Sequence, residues 1–210
     1  MMPLGQLETG ASQGSPLLGL ALLACAIWAS KLWLDDLRNP GRPGALPGAA
    51  PCTPSALWIA TLGALAILLL ETFGEILSGL DAQQSTIAWH FLAAMVAAAV
   101  LEELVFRGYL VIPGKGRGVL VGSAVGFSLL FALAHPYLWT FDSETGLALH
   151  FDSRKAWLTT GFLLLKSLWF YYVRFAGWNP QQSLLPCVAA HLAVNLATFV
   201  VKAAQGHVAW

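Results

Sequence analysis

The chain has 210 residues, 57% of them hydrophobic and 10% charged, with a formal net charge of zero and a mean hydropathy of +0.67. An average soluble domain carries about 25% charged residues, so this composition marks an integral membrane protein. A neutral balance supplies no basic face for a polyanion, and nucleic-acid binding is excluded.

Crossing the hydrocarbon core takes about 20 predominantly apolar residues. On that basis the chain divides into six candidate helices, and the expected class is all-α, a polytopic helical bundle. The first span, Pro16–Leu34, follows a segment that contains Glu8 and no lysine or arginine. It lacks the basic start of a secretory signal peptide and reads as a retained span. Prolines and glycines in "DDLRNPGRPGALPGAAPCTP" cannot continue a helix, which predicts a mobile linker before the second span, Ala56–Leu80. The third span, Thr86–Ile112, meets the fourth, Gly118–Trp139, across the turn "PGKGRG". A long polar connection, "FDSETGLALHFDSRK", has the length to lie along the membrane surface before the fifth span, Ala156–Ala176. The sixth span is Ser183–Ala203. In domain terms the reading is a helix plus linker over 1–55, a second helix over 56–85, a core over 86–203 and a tail over 204–210.

Short-loop lysines and arginines set orientation. Arg38, Arg42, Lys115, Arg117 and Arg174 fall on one side, and Arg154, Lys155 and Lys202 on the other. That distribution places the "PGKGRG" turn in the cytoplasm and both ends of the bundle's chain outside. Trp33, Trp139, Trp178 and Trp210 lie near span ends, as interfacial belts require. The cysteines Cys25, Cys52 and Cys187 form no CxxC pair, and two sit within apolar runs as small hydrophobes.

Charge inside a span costs about 2.5–3.5 kcal/mol per residue on insertion scales, so "EELVFR", residues 102–107, requires partners. Glu103 and Arg107 are four apart on one helical face, acid first, and can neutralise each other. Glu102 points about 100° away from Glu103 and must find its partner on another helix. "FALAH" sets Phe131 four residues before His135, and "HLAVN" sets His191 four before Asn195. At about 1.5 Å per residue from the cytoplasmic ends, Glu102, His191 and Asn195 lie roughly 15, 12 and 18 Å deep and share a layer. His135 lies deeper, at roughly 24 Å; tilt, a later start to its helix or a kink near Pro136 would bring it level.

In their order, these three motifs resemble the EExxxR, FxxxH and HxxxN/D pattern of the CPBP glutamic intramembrane proteases. That family is also called Abi or CAAX-protease-like and is related to the Rce1-type prenyl endopeptidases. The resemblance covers about 86–202 and implies an all-helical membrane bundle, often of eight spans. It assigns Glu102 and His135 to activating a water and His191 and Asn195 to stabilising the oxyanion. Glu103, Arg107 and Phe131 become structural supports. The implied reaction is hydrolysis of a peptide bond without a covalent intermediate, in a protein or peptide tail that can carry a lipid anchor, with no cofactor and no metal. Compactness and Ala/Leu/Gly richness point to a bacterial plasma membrane.

Other chemistries use the same residues. Glu102, His135 and His191 form a candidate zinc set of two histidines and one carboxylate. Cys187, four before His191, is a candidate nucleophile. Lys166, Glu71 and Glu75 would suit a proton-coupled transporter, though each also has a plain reading as an ion pair or interfacial residue. An immunity or scaffold role without catalysis completes the alternatives.

Overall fold

The computed structural model describes residues 15–39, 42–142, 146–151 and 153–210. Glu8 and the rest of the segment ahead of the first span lie outside them.

Among the described residues six α-helices make up the bundle: α1 (Pro16–Arg38), α2 (Pro54–Leu77), α3 (Phe91–Glu102), α4 (Arg117–Leu133), α5 (Arg154–Phe175) and α6 (Leu185–Ala204). α3 does not end at Glu102 but widens into a π-helical segment, Glu103–Tyr109. Pro16, Pro54 and Pro186 occupy first-turn positions, where a missing N–H leaves no bond unmade. Thr53 and Ser153 accept bonds from the amides of Ala56 and Ala156, at 3.2 and 3.0 Å, and cap α2 and α5.

α1, α2 and α6 are long and apolar enough to cross a bilayer, while α4 is a shorter apolar helix. α5 has the length, but Arg154, Lys155, Lys166 and Arg174 lower its apolarity. Large apolar side chains project outward all along the bundle, among them Leu17, Trp28, Leu62, Leu70 and Val200, as expected of a lipid-facing surface.

α2 lies against α5 and α6. Ala60, Ala64 and Ala190 are completely buried there, because small residues let helix backbones approach where no hydrophobic force drives them together. At Gly63 a Cβ would collide with the Trp169 ring, whose Nε1 donates to the Ala60 carbonyl at 2.9 Å. α1 packs on α3, and α4 on α5.

The helices alternate in direction. At one end, β1 (Ile87–Ala88) pairs in parallel with β4 (Val208–Ala209). Lys202 donates to Gln84 and Ser85 there, Lys155 reaches Glu75 at 3.5 Å, and Gln84 donates to Glu75. At the opposite end Asp36 accepts the Leu46 amide at 2.9 Å. Gly48 accepts the Leu184 amide, and Ala50 the Ser183 hydroxyl. The lysines and arginines sort onto the two ends as read from sequence.

Three local departures matter for the site. The linker's described residues are docked rather than free: Trp33 Nε1 donates to the Pro47 carbonyl, and Gly48, at φ +65°, lies where any Cβ would meet the Arg174 guanidinium. α4 stops at Leu133, six residues short of Trp139, because His135 precedes Pro136 and is held extended at φ −67°, ψ 131°. The connection after it is a hairpin, β2 (Trp139–Asp142) against β3 (Gly146–Leu149), with Gly146 at φ +81° in the conformation hairpin loops require of glycine.

Candidate active site

Where α3 becomes π-helical, the wider turn still brings Glu103 and Arg107 together. Arg107 Nη1 donates to Glu103 Oε1 at 3.1 Å, with both side chains fully enclosed. Arg107 Nη2 donates to Ser167 Oγ at 2.7 Å, and Ser167 Oγ donates onward to Ser128 at 3.0 Å. The guanidinium carbon lies 4.8 Å from the Phe131 ring centroid, 5.2 Å from Phe170 and 5.0 Å from Tyr171. A desolvated cation gains from such faces. The Tyr171 hydroxyl reaches the carbonyls of Phe106 and Leu110, at 2.6 and 2.8 Å, which holds the end of the π-helical segment against α5.

His191 stands between the two glutamates. Its Nδ1 is 2.8 Å from Glu103 Oε1, and its Nε2 is 3.9 Å from Glu102 Oε2. The first contact is a hydrogen bond and the second is too long to be one. Phe170 stacks on the imidazole at 5.2 Å and 22°, fixing the ring plane. Glu103 is therefore committed to Arg107 and His191. Glu102 has its side chain 35% exposed and meets its interhelical neighbour without being bonded to it.

His135 reaches this region from beyond the end of its helix. Its Nδ1 is 2.8 Å from the Phe131 carbonyl, its ring lies 4.8 Å from the Phe131 ring, and Phe131 is in turn 6.5 Å from the His191 ring. A carbonyl only accepts, so Nδ1 carries a proton and Nε2 is left with its lone pair in the neutral ring. Two of the routes read from sequence are present, a later start and a break. The Ile112 amide donates to Ser123 Oγ at 3.2 Å, so the first turns of α4 project past the end of the π-helical segment, and the chain leaves the helix at His135, before Pro136. Asn195 is engaged on its other side, its Nδ2 donating to the Met95 carbonyl of α3 at 2.8 Å.

The residues of the rival chemistries have other partners. Lys166 pairs with Glu71 at 2.8 Å, both largely enclosed. Cys187 is fully buried, with its thiol 3.3 Å from the Phe170 carbonyl. Among the described residues, no three His, Cys, Asp or Glu side chains are grouped to hold a metal ion.

Ser128, Ser167, Phe170 and Tyr171 complete the site and went unnoticed in the sequence motifs. Phe170 and Tyr171 belong to the aromatic run "LWFYYVRF", whose composition suits packing, and the side-by-side placement of α5 and α6 turns Phe170 onto His191.

No curated protein and no solved structure shows significant similarity to the chain. Residues 84–197, more than half of the chain, match the model of the Rce1-like type II CAAX prenyl endopeptidases. The match spans all three motifs, from the residues before β1 to the middle of α6, and the chain belongs to this family of membrane proteases.

Proposed function

We propose that the protein is an intramembrane endopeptidase of the glutamic type, in which Glu102 takes the proton from an attacking water. The observation that carries this reading is the division of labour between adjacent carboxylates. Glu103 is enclosed and bonded to Arg107 and His191, whereas Glu102 is partly open and holds no hydrogen bond among the described residues. A base must be able to reach its water and have a free lone pair.

His135 offers Nε2 to the same water once Nδ1 is spent on the Phe131 carbonyl. His191 holds its Nδ1–H on Glu103 and its ring on Phe170, so it donates from Nε2 as the imidazolium; that Nε2–H and the second amide N–H of Asn195 meet the charge growing on the substrate carbonyl oxygen. In a water-poor site such donors are worth several kcal/mol. Arg107 acts through Glu103 and is a positioning residue. The substrate class is a C-terminal tail or membrane-anchored peptide, cleaved in a bacterial plasma membrane, with the linker end of the bundle facing the cytoplasm.

The test is hydrolysis of farnesylated and transmembrane-anchored tail peptides by purified wild type, Glu102→Gln and Cys187→Ala, each with and without a zinc chelator. Hydrolysis that survives chelation and Cys187→Ala but disappears in Glu102→Gln is expected. Loss on chelation would replace this reading with a zinc mechanism.

A further inference from the structure

The hairpin that follows His135 is inverted relative to one in water. Register pairs Trp139 with Leu149 and Phe141 with Leu147, so these four side chains share one face. Phe141 is 80% exposed and Leu147 64%. On the other face Thr140 bonds to His150 at 2.6 Å. An apolar face turned outward belongs at lipid depth. The residues leading into β2 are tied to the second turn of α5, with the Tyr137 hydroxyl 2.6 Å from Thr160 Oγ1.

Hydrogen bonding within the hairpin alternates. The His150 amide donates to the Leu138 carbonyl at 2.7 Å, so Leu138/His150 is a bonded pair. Counting along the register, Thr140/Ala148 is the next bonded pair. Trp139 and Phe141 therefore aim their N–H and C=O away from β3; the Trp139 N–H turns back to the Pro136 carbonyl, and among the described residues nothing bonds to the Trp139 C=O or to the N–H and C=O of Phe141. Open strand edges are not tolerated against hydrocarbon, where each unmade bond costs several kcal/mol. The edge begins four residues after His135.

We propose that the β2 edge receives the substrate as an added strand, which lays an extended peptide segment through Trp139–Phe141 and on past His135. This deepens the proteolytic reading and rests on it for the identity of the occupant. Strand addition takes its affinity from main-chain bonds and reads alternate side chains. It also explains why α4 stops short, since a continued helix would satisfy its own backbone and offer no edge.

The test measures binding, so it does not depend on turnover. The probe is a fluorescein-labelled, farnesylated tail peptide titrated into purified Glu102→Gln protein in micelles. Phe141→Pro removes one outward N–H at an edge position that tolerates proline. It should raise Kd about tenfold, the loss of one desolvated hydrogen bond. Leu147→Pro, the equivalent change on the β3 edge, should alter Kd by less than about twofold. Independently of any protein variant, N-methylating the peptide one residue at a time should weaken binding at every second position. Equal effects from the two prolines, an N-methyl scan without alternation, or no binding of the unmodified probe overturns the proposal. Alternating sensitivity in a protein whose wild type hydrolyses nothing supports the strand and sinks only the catalytic reading.

Discussion

Two halves of the bundle follow different rules. α2, α5 and α6 are regular helices held by alanines, a tryptophan seated over Gly63 and an ion pair between Lys166 and Glu71. The half that carries Glu102 and His135 abandons the α-helix at both: α3 becomes π-helical at Glu103, and α4 ends two residues before His135. Regular helices satisfy their own backbone and point side chains at fixed angles. The proposed site, which turns two adjacent glutamates to different tasks and presents a histidine beside a chain of substrate, draws on the irregular half. The regular half supplies the walls, with Phe170, Ser167 and His191 coming from α5 and α6.

The sharpest way to break this comparison is to remove chemistry without touching packing. Glu102→Gln should lower kcat for tail peptides by about 10²–10⁴-fold, the range for a general base, with Tm unchanged because this carboxylate holds no hydrogen bond among the described residues. A parallel fall in Tm would make Glu102 a structural residue. Arg107→Met should have the next largest effect, destabilising by about 3–5 kcal/mol, because the enclosed Glu103 loses its guanidinium partner and keeps only His191. Chemical denaturation in micelles would read it, and Glu103→Gln combined with Arg107→Met should recover part of the loss.

In the regular half, Gly63→Val drives a side chain into Trp169 and should cost about 1–3 kcal/mol. Specific activity per folded molecule should hold. Tyr171→Phe tests the seam between the halves. Losing the hydroxyl that reaches the Phe106 and Leu110 carbonyls should cost about 1–3 kcal/mol and lower kcat more than Gly63→Val does. The smallest effect is expected of Thr53→Ala, about 1 kcal/mol from a lost helix cap, visible in Tm alone.

Much of the helical scaffold was legible because its cause is local. Runs of about 20 apolar residues locate the spans, and the four-residue spacing of Glu103 and Arg107 foretells their pairing even across a change of helix type. Glu102 could be singled out by elimination, as the acid without a local partner. The π-helical segment was not legible: apart from Gly108 the residues of "ELVFRGY" suit an α-helix, and the hydroxyl that holds its end belongs to Tyr171, more than sixty residues away. The stop before His135 was written in Pro136 but hidden by the apolar run through Trp139. The hairpin escaped because its strands turn their apolar face outward, and the docked linker because glycine-rich chain can be pinned by neighbours that only the fold brings near.

The parallel pair of β1 and β4 closes a ring. It joins the residues ahead of α3 to those after α6, so the segment that carries Glu102, His135 and His191 is tied at both of its ends by one contact. The start of α3, which bears Glu102, therefore depends for its anchor on the residues that follow α6.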